Sequence, residues 1–422
     1  MNINEINILI ISHNPLSSVN NNGKTLTSIF NGFPSENIYQ IYLNSETPDY
    51  SGKCHYLQIN EKQIIKTVLK RKNYCCKTVH SNSGKFSSAK IKRINLFNHT
   101  KRLLREVLWM IPCWKSGLHN WLKDKKFDVV FFMAGDGMFA YDIYRFVTEH
   151  SDAKKCIFFT DDYIIGKPSY SPIAVLRQTL LKRKMRETLK VTDELYVISE
   201  EMRKAYKKMF NMDGYITRNF SVEKLDSNSI QQKSNSDQMV MVYAGGLHYN
   251  RWKVIENVAN ALKEINISSD NRCCLRIYSA QHISEKILER ITVEGASEFL
   301  GGVSSSQISE VYAGADILLH VESFERKAIA STKYSFSTKI PEYLSADKCV
   351  MAIVPSDVAS VAYLKEFAST VDDLEHLKEE LHRLINDNEY RKRIVNNCEK
   401  RFESDFSPRK QIESLNHIIS IS

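Results

Sequence analysis

Three short stretches of the sequence bring together side chains that can hold a phosphate or move a proton. Ala244-Gly245-Gly246-Leu247 sets tandem glycine ahead of two cations, Arg251 and Lys253. Glycine lets a backbone approach an anion closely, and guanidinium and ammonium groups make charge-assisted hydrogen bonds, so this spacing suits a diphosphate. Ser335 to Leu344 places Ser337, Thr338 and Lys339 ahead of a helix with Glu342 in its first turn. Free N–H groups at 337 to 339, reinforced by the helix dipole, would hold a phosphate, and the carboxylate one turn on would accept two ribose hydroxyl hydrogens. The plainer alternative is a capped helix, with Ser337 or Thr338 as the cap.

The third stretch, His13 to Lys24, holds Gly23 and Lys24 at a helix start. It is neither G-x-x-x-x-G-K-[ST] nor G-x-G-x-x-G, and an ordinary strand-to-helix turn is its alternative. Asp136 and Asp161 follow strand signals and are candidates to orient a hydroxyl, against a simple capping role. His13 and His320 are candidates for polar contact or proton transfer in the same sense.

Alternating strand and helix signals must position these groups. INILIIS (6–12) is a continuous apolar run of the kind buried on both faces of a parallel sheet. Strand signals follow at 38–43, 128–133, 155–160 and 194–199, with helical segments between them. A polar stretch, Ser227 to Gln238, reads as a linker, and a second set begins with MVMVYAGG (239–246). An amphipathic helix at 254–265 follows, then strands near 274–280, 297–302, 315–321 and 349–355, with 339–346 helical. The fold class is therefore α/β, two Rossmann-like domains facing across a cleft. The expected boundaries are 1–220, 221–385, and a C-terminal pair of helices at 386–422 that crosses back to the first domain.

Length and composition agree. With 422 residues, 43% of them hydrophobic and 25% charged, the chain has the make-up of a folded multidomain protein. No apolar run approaches the roughly 20 residues of a membrane-spanning helix, and the first is too short for a signal peptide, so a cytoplasmic location is expected. Nine cysteines without C-x-x-C spacing read as reduced thiols, and no metal site is expected.

The net charge of +9 is uneven. Between Glu61 and Lys126 stand 17 Lys or Arg against three acids, a local +14, and three of the four tryptophans, Trp109, Trp114 and Trp121. Cations interleaved with indoles suit an anionic membrane surface. A solvated basic face with tryptophans turned inward is the plain alternative. Nucleic acid is a third, and no helix-turn-helix, zinc-finger or RNA-binding signature supports it. The Ser/Asn/Gly patch from His80 to Ser88 reads as a mobile loop.

The order AGGL…RxK, then EFLGGVSSSQISEVYAGADILLHVESF, then STKIPEYLSADKCVMAIVP, resembles the nucleotide-sugar half of bacterial GT-B glycosyltransferases, family 4-like and retaining. VTDELYVISEEMRKAYKKMF before Asn219, and ISHNPLSSVNNNGKTLTSIF, resemble parts of those enzymes' first domain. The resemblance implies that Glu342 is the second glutamate of an E-x7-E motif and binds the donor ribose. It implies that Ser337, Thr338 and Lys339, with Gly245 and Gly246, meet the diphosphate, and that Arg251 and Lys253 supply its cations. Gly302 and Val303 would meet the nucleobase, and Gly23 would bring the first-domain loop to the donor. Tyr334 occupies the position of the first glutamate, with His320 and Glu322 as polar residues near the donor.

The activity so implied is transfer of a sugar from a nucleoside-diphosphate sugar to a glycan or lipid-linked acceptor, retaining and metal-independent, in bacterial surface polysaccharide synthesis. No cofactor beyond the donor substrate is expected, and metal-dependent transferases of the other common fold need a D-x-D that Asp161-Asp162 does not supply. The catalytic candidates are Arg251, Lys253, Asp161 and His320. Peripheral association with the inner face of the plasma membrane, through 61–126, is part of the same expectation. A nucleotide-sugar epimerase of the same fold and a catalytically degenerate binding scaffold are the competing readings.

Overall fold

The structure, a computed structural model, describes residues 3–17, 21–80, 98–165, 171–220, 238–304 and 307–420. The chain forms two compact units, 1–219 with 411–422, and 220–410.

The first unit runs β1 (Ile8–Ser12), α1 (Asn21–Ile29), β2 (Ile38–Tyr42), β3 (His55–Gln58), α2 (Glu61–Lys70), β4 (Lys77–Val79), α3 (Asn98–Trp109) and α4 (Cys113–Leu122). It continues through β5 (Val129–Ala134), α5 (Met138–Thr148), β6 (Lys154–Phe159), α6 (Pro172–Leu189), β7 (Glu194–Val197), α7 (Glu200–Phe210) and β8 (Gly214–Ile216). Its sheet has the order β4-β3-β2-β1-β5-β6-β7-β8, parallel except for the β3–β4 edge. The central strands are apolar on both faces because helices cover both: every residue of β1 and β5 is buried. Local chemistry fixes the helix starts. Asn60 opens α2 with a capping box, accepting from the Gln63 amide (3.0 Å) while Gln63 Oε1 accepts from Asn60 N–H (3.1 Å).

The second unit runs β9 (Gln238–Ala244), α8 (Arg251–Ser268), β10 (Arg272–Tyr278), α9 (Glu285–Ile291), β11 (Ser297–Gly301), α10 (Ile308–Ala313) and β12 (Ile317–Val321). Then come α11 (Arg326–Thr332), α12 (Lys339–Leu344), β13 (Cys349–Ile353), α13 (Ala359–Leu364), β14 (Ser369–Val371), α14 (Leu377–Asn386) and α15 (Asn388–Asp405). Its sheet is wholly parallel, in the order β11-β10-β9-β12-β13-β14. Chain direction across the sheet therefore reverses between β9 and β12, which is where such sheets open a crevice for ligands. In the first unit the corresponding reversal falls between β1 and β5.

Residues 386–410 fold with the second unit because Ile394, Cys398 and Phe402 of α15 enter its core. The last helix, α16 (Pro408–Ile419), supplies the first unit from residue 411 onward. There Gln411 donates to the Ile29 and Asn31 carbonyls (2.8 and 3.0 Å), and Leu415, Ile418 and Ile419 are buried. Lys154 of β6 donates to the His417 and Ser420 carbonyls, each at 2.9 Å. The expected linker at 227–238 and the expected loop at 80–88 lie, but for Gln238 and His80, outside the described residues.

Three short strands, β3, β4 and β8, and the edge strand β14 carry little apolar alternation and are additions to the sequence reading. All nine cysteines are free thiols. Among the described residues no helix is long and apolar enough to cross a membrane.

Candidate active site

In the second unit, the chain leaves β9 through Gly245-Gly246 and turns into α8 by way of Tyr249 and Asn250, both left-handed at φ 57° and 61°. Two successive non-glycine residues in that region are costly and persist only where surrounding structure fixes them. The turn delivers Arg251 to the first position of α8, facing the end of β12. There Glu322 receives it in a fork: Arg251 Nη2 donates to Oε1 and Oε2 at 2.7 Å each, and Nε to Oε2 at 3.0 Å. Both side chains are largely buried. Burial raises the Glu322 carboxyl above its ordinary value while Arg251 and Lys339 oppose that rise. Burial likewise works against the Arg251 charge, and Glu322 more than compensates.

Lys339, at the start of α12, occupies the middle of this place. A Cβ on Gly245 would lie 2.8 Å from Lys339 Nζ and 2.7 Å from the Tyr243 hydroxyl, so only glycine leaves room for the ammonium there. Among the described residues no carboxylate or carbonyl hydrogen-bonds that ammonium, which lies 5.9 Å from the centroid of the Tyr243 ring. Burial lowers its pKa to about 8, with Glu342 and Glu322 pulling upward and Arg251 pushing down. Tyr243 is itself held by its hydroxyl, which donates to the Gly246 carbonyl at 2.7 Å.

His320, on β12, is buried, and its Nε2 has no hydrogen-bond partner among the described residues. Burial, then the Arg251 and Lys339 charges, lower its pKa to about 3. It is a neutral imidazole at physiological pH, so the expectation of a proton-transfer group narrows to a hydrogen-bonding one.

Lys253 stands apart from that centre. It is half exposed and pairs with Glu325 at 2.6 Å, and Glu325 also accepts from Asn250 at 2.7 Å. The pair ties the entry of α8 to the entry of α11. The amides at 337 to 339 are also less free than expected, because the Ser337 hydroxyl accepts from the Lys339 N–H at 3.3 Å. Thr338 precedes α12 without a side-chain cap. Glu342 is half-buried and accepts from the Tyr312 hydroxyl at 3.3 Å. Gly302 follows β11 past Gly301, whose φ is +77°, and a Cβ on it would lie 2.9 Å from the Ala280 backbone; Val303 is half-buried beside it. Tyr334 is half-buried.

Tyr243, Tyr312 and Glu325 are additions to the residues expected from sequence. Tyr243 stands two residues before the tandem glycine, a same-face position on the strand that could have drawn attention to it.

In the first unit, His13, Asp136 and Asp161 follow β1, β5 and β6, the strands on either side of the reversal. Burial and then Arg105 lower the His13 pKa, against the pull of Glu61, Asp136 and Glu46. Asp136 pairs with Arg102 at 2.7 Å and Arg177 at 3.3 Å. Glu106, buried on α3, accepts from the first two amides of α5, Met138 (3.0 Å) and Phe139 (3.2 Å), and so caps a helix that has no cap of its own. Asp161 accepts from the Asp162 amide at 2.9 Å, while Asp162 is buried beneath the amides of Ile164 and Ile165. Gly23 lies inside α1 and is buried; a Cβ there would meet Pro15 O at 2.5 Å. Its bareness lets the helix close on its own preceding loop.

Two of the three tryptophans of the basic stretch turn inward, as the plain alternative had it. Trp109 is buried, donates to Glu61 at 3.1 Å and stacks on Phe139 at 4.2 Å; Trp114 is buried too, and Trp121 half-buried. Trp109 and Trp114 are core residues, and only Trp121 keeps part of its surface in solvent. Among the described residues no group of three or more His, Cys, Asp or Glu is arranged to hold a metal.

Comparison with known proteins adds the following. Residues 270–417 match the family described as "Glycosyl transferase-like". The α,α-trehalose 6-phosphate synthase of Burkholderia multivorans is similar in structure, at TM-score 0.61 and 9% identity, with 98% of this chain and 96% of that chain covered. An E. coli structure described as trehalose-6-phosphate bound with UDP-2-fluoro glucose gives TM-score 0.61 and 10% identity over 99% of each chain. WaaG, described as a glycosyltransferase involved in lipopolysaccharide biosynthesis, gives 0.52 and 13%, over 97% of this chain and 99% of its own. No curated protein matches the sequence. Residues 270–417 thus carry a glycosyl transferase-like match, and the two α/β units share the fold of these glycosyltransferase structures.

Proposed function

We propose that the protein transfers a sugar from a nucleoside-diphosphate sugar to a glycan or lipid-linked acceptor, with retention and without a metal, in bacterial surface polysaccharide synthesis. The observation that carries this reading is the Lys339 ammonium, held over Gly245 at the sheet's reversal point with no carboxylate bonded to it among the described residues. A departing diphosphate gathers negative charge, and a cation fixed in advance stabilises that charge without reorganising. Arg251, its charge balanced by Glu322, offers its remaining N–H donors beside it, and His320 offers a neutral ring nitrogen with no partner among the described residues. Glu342 takes the ribose hydroxyls.

On this reading the bond from the sugar C1 to the diphosphate oxygen breaks as the bond from C1 to the acceptor oxygen forms. The acceptor's proton passes to the leaving phosphate, so no separate base is needed. Tyr334, in place of a first glutamate, offers the donor sugar a phenol instead of a carboxylate.

A thermal-shift panel with UDP, GDP, ADP, CMP and dTDP tests the reading, since a ligand that binds only the folded state stabilises it by mass action. A selective shift with one of them, lost in Glu342→Ala, is expected and names the base. No shift with any of them would overturn it.

A further inference from the structure

Three neighbouring helices of the first unit leave aliphatic side chains in water. On α2, Leu69 is 77% exposed, with Ile65 and Val68 beside it on one stripe. On α3 and just past its end, Leu104 and Met110 are 63% and 78% exposed, with Val107 between them. On α6, Ile173, Leu176 and Leu180 are exposed in the same way. Single exposed aliphatic residues are ordinary; runs of them on packed helices mark interaction surfaces.

The stripes are joined through α3, which packs against both α2 and α6. Glu61, from which Ile65, Val68 and Leu69 follow at helical spacing, bonds Arg105 and Trp109 of α3. Arg177, flanked one turn each way by Ile173 and Leu180, reaches Glu106 of α3 at 3.8 Å. The charges sort themselves by the same contacts. Glu61 and Glu106, two of the three acids between 61 and 126, are spent inside the unit, whereas Lys62, Lys66 and Lys101 are exposed. What remains outside is an aliphatic face set among cations.

We propose that α2, α3 and α6 dock this unit on the surface of an anionic lipid bilayer. The aliphatic side chains enter the boundary between headgroups and acyl chains, and the lysines lie against lipid phosphates. Charge complementarity selects this occupant over a neutral one. The proposal deepens the reading of a lipid-linked acceptor, on which its biological sense rests.

The test is flotation of the full chain with phosphatidylcholine vesicles and with phosphatidylcholine–phosphatidylglycerol vesicles, in the absence of donor and acceptor, so that it can fail while nucleotide binding stands. Binding to the anionic vesicles, weakened by added salt, is expected. Leu69→Glu/Leu104→Glu/Met110→Glu should lower it about tenfold or more, since three aliphatic side chains no longer enter the bilayer boundary. Lys62→Glu/Lys66→Glu/Lys101→Glu should lower it too, with melting temperature and nucleotide response unchanged in both variants. Undiminished binding by the aliphatic variant, equal binding to neutral vesicles, or no binding to either would overturn the proposal. So would a dimer that the aliphatic variant dissolves while vesicles bind neither protein, because the occupant would then be a second copy.

Discussion

If the proposed donor site is right, Lys339 sets its pH response. Burial lowers its pKa to about 8, so the free protein loses this charge as pH rises through that value, and an anion binds the charged form. Affinity for the preferred nucleoside diphosphate should fall as pH rises from neutrality through about 8 in calorimetric titrations. Lys339→Arg, charged throughout, should flatten the profile. Glu342→Ala should weaken the same ligand roughly 10- to 100-fold, the worth of hydrogen bonds to a charged group, with little change in melting temperature. Arg251→Ala strands the buried Glu322 carboxylate and should cost about 3–5 kcal/mol in urea denaturation, whereas Glu322→Gln should cost less. The residue types of this site were legible in sequence, as tandem glycine, a following cation and a hydroxyl-rich helix start. Their roles were not. Arg251 meets Glu322 across 71 positions, and it is that contact, together with Glu325 on Lys253, that leaves Lys339 without an ion-pair partner among the described residues.

At the scale of elements, α1 can close on its preceding loop because residue 23 is glycine. Gly23→Ala puts a methyl 2.5 Å from Pro15 O and 2.6 Å from Ser17 Cβ, and should destabilise the first unit by about 1–3 kcal/mol in urea denaturation. Strands buried on both faces announced themselves as apolar runs, as β1, β5 and β13 did. The four-residue β3 and three-residue β4 did not, since a strand that short has no room to alternate. Strand order is invisible to periodicity altogether. That β9 lies beside β12 is what brings Gly245 and Glu322 to one place, and no count of apolar positions reveals it. The basic stretch misled for a related reason: composition reports that indoles and lysines share a segment, not that Trp109 and Trp114 point inward while leucines point out.

Across the whole molecule, the first unit is discontinuous in sequence. Everything from 220 to 410 is threaded between its eighth strand and its last helix. Truncation after Lys410 should uncover the Ile29 and Asn31 carbonyls and the surface that receives Leu415, Ile418 and Ile419. Faster hydrogen exchange at β6 and around residue 30, with the second unit's exchange unaltered, would show it. Synthesis runs from residue 1 onward, so the second unit is complete and able to fold before the first has received its final helix. A nascent chain therefore carries an unfinished, partly uncovered first unit throughout the synthesis of the second, until α16 has emerged to seal it.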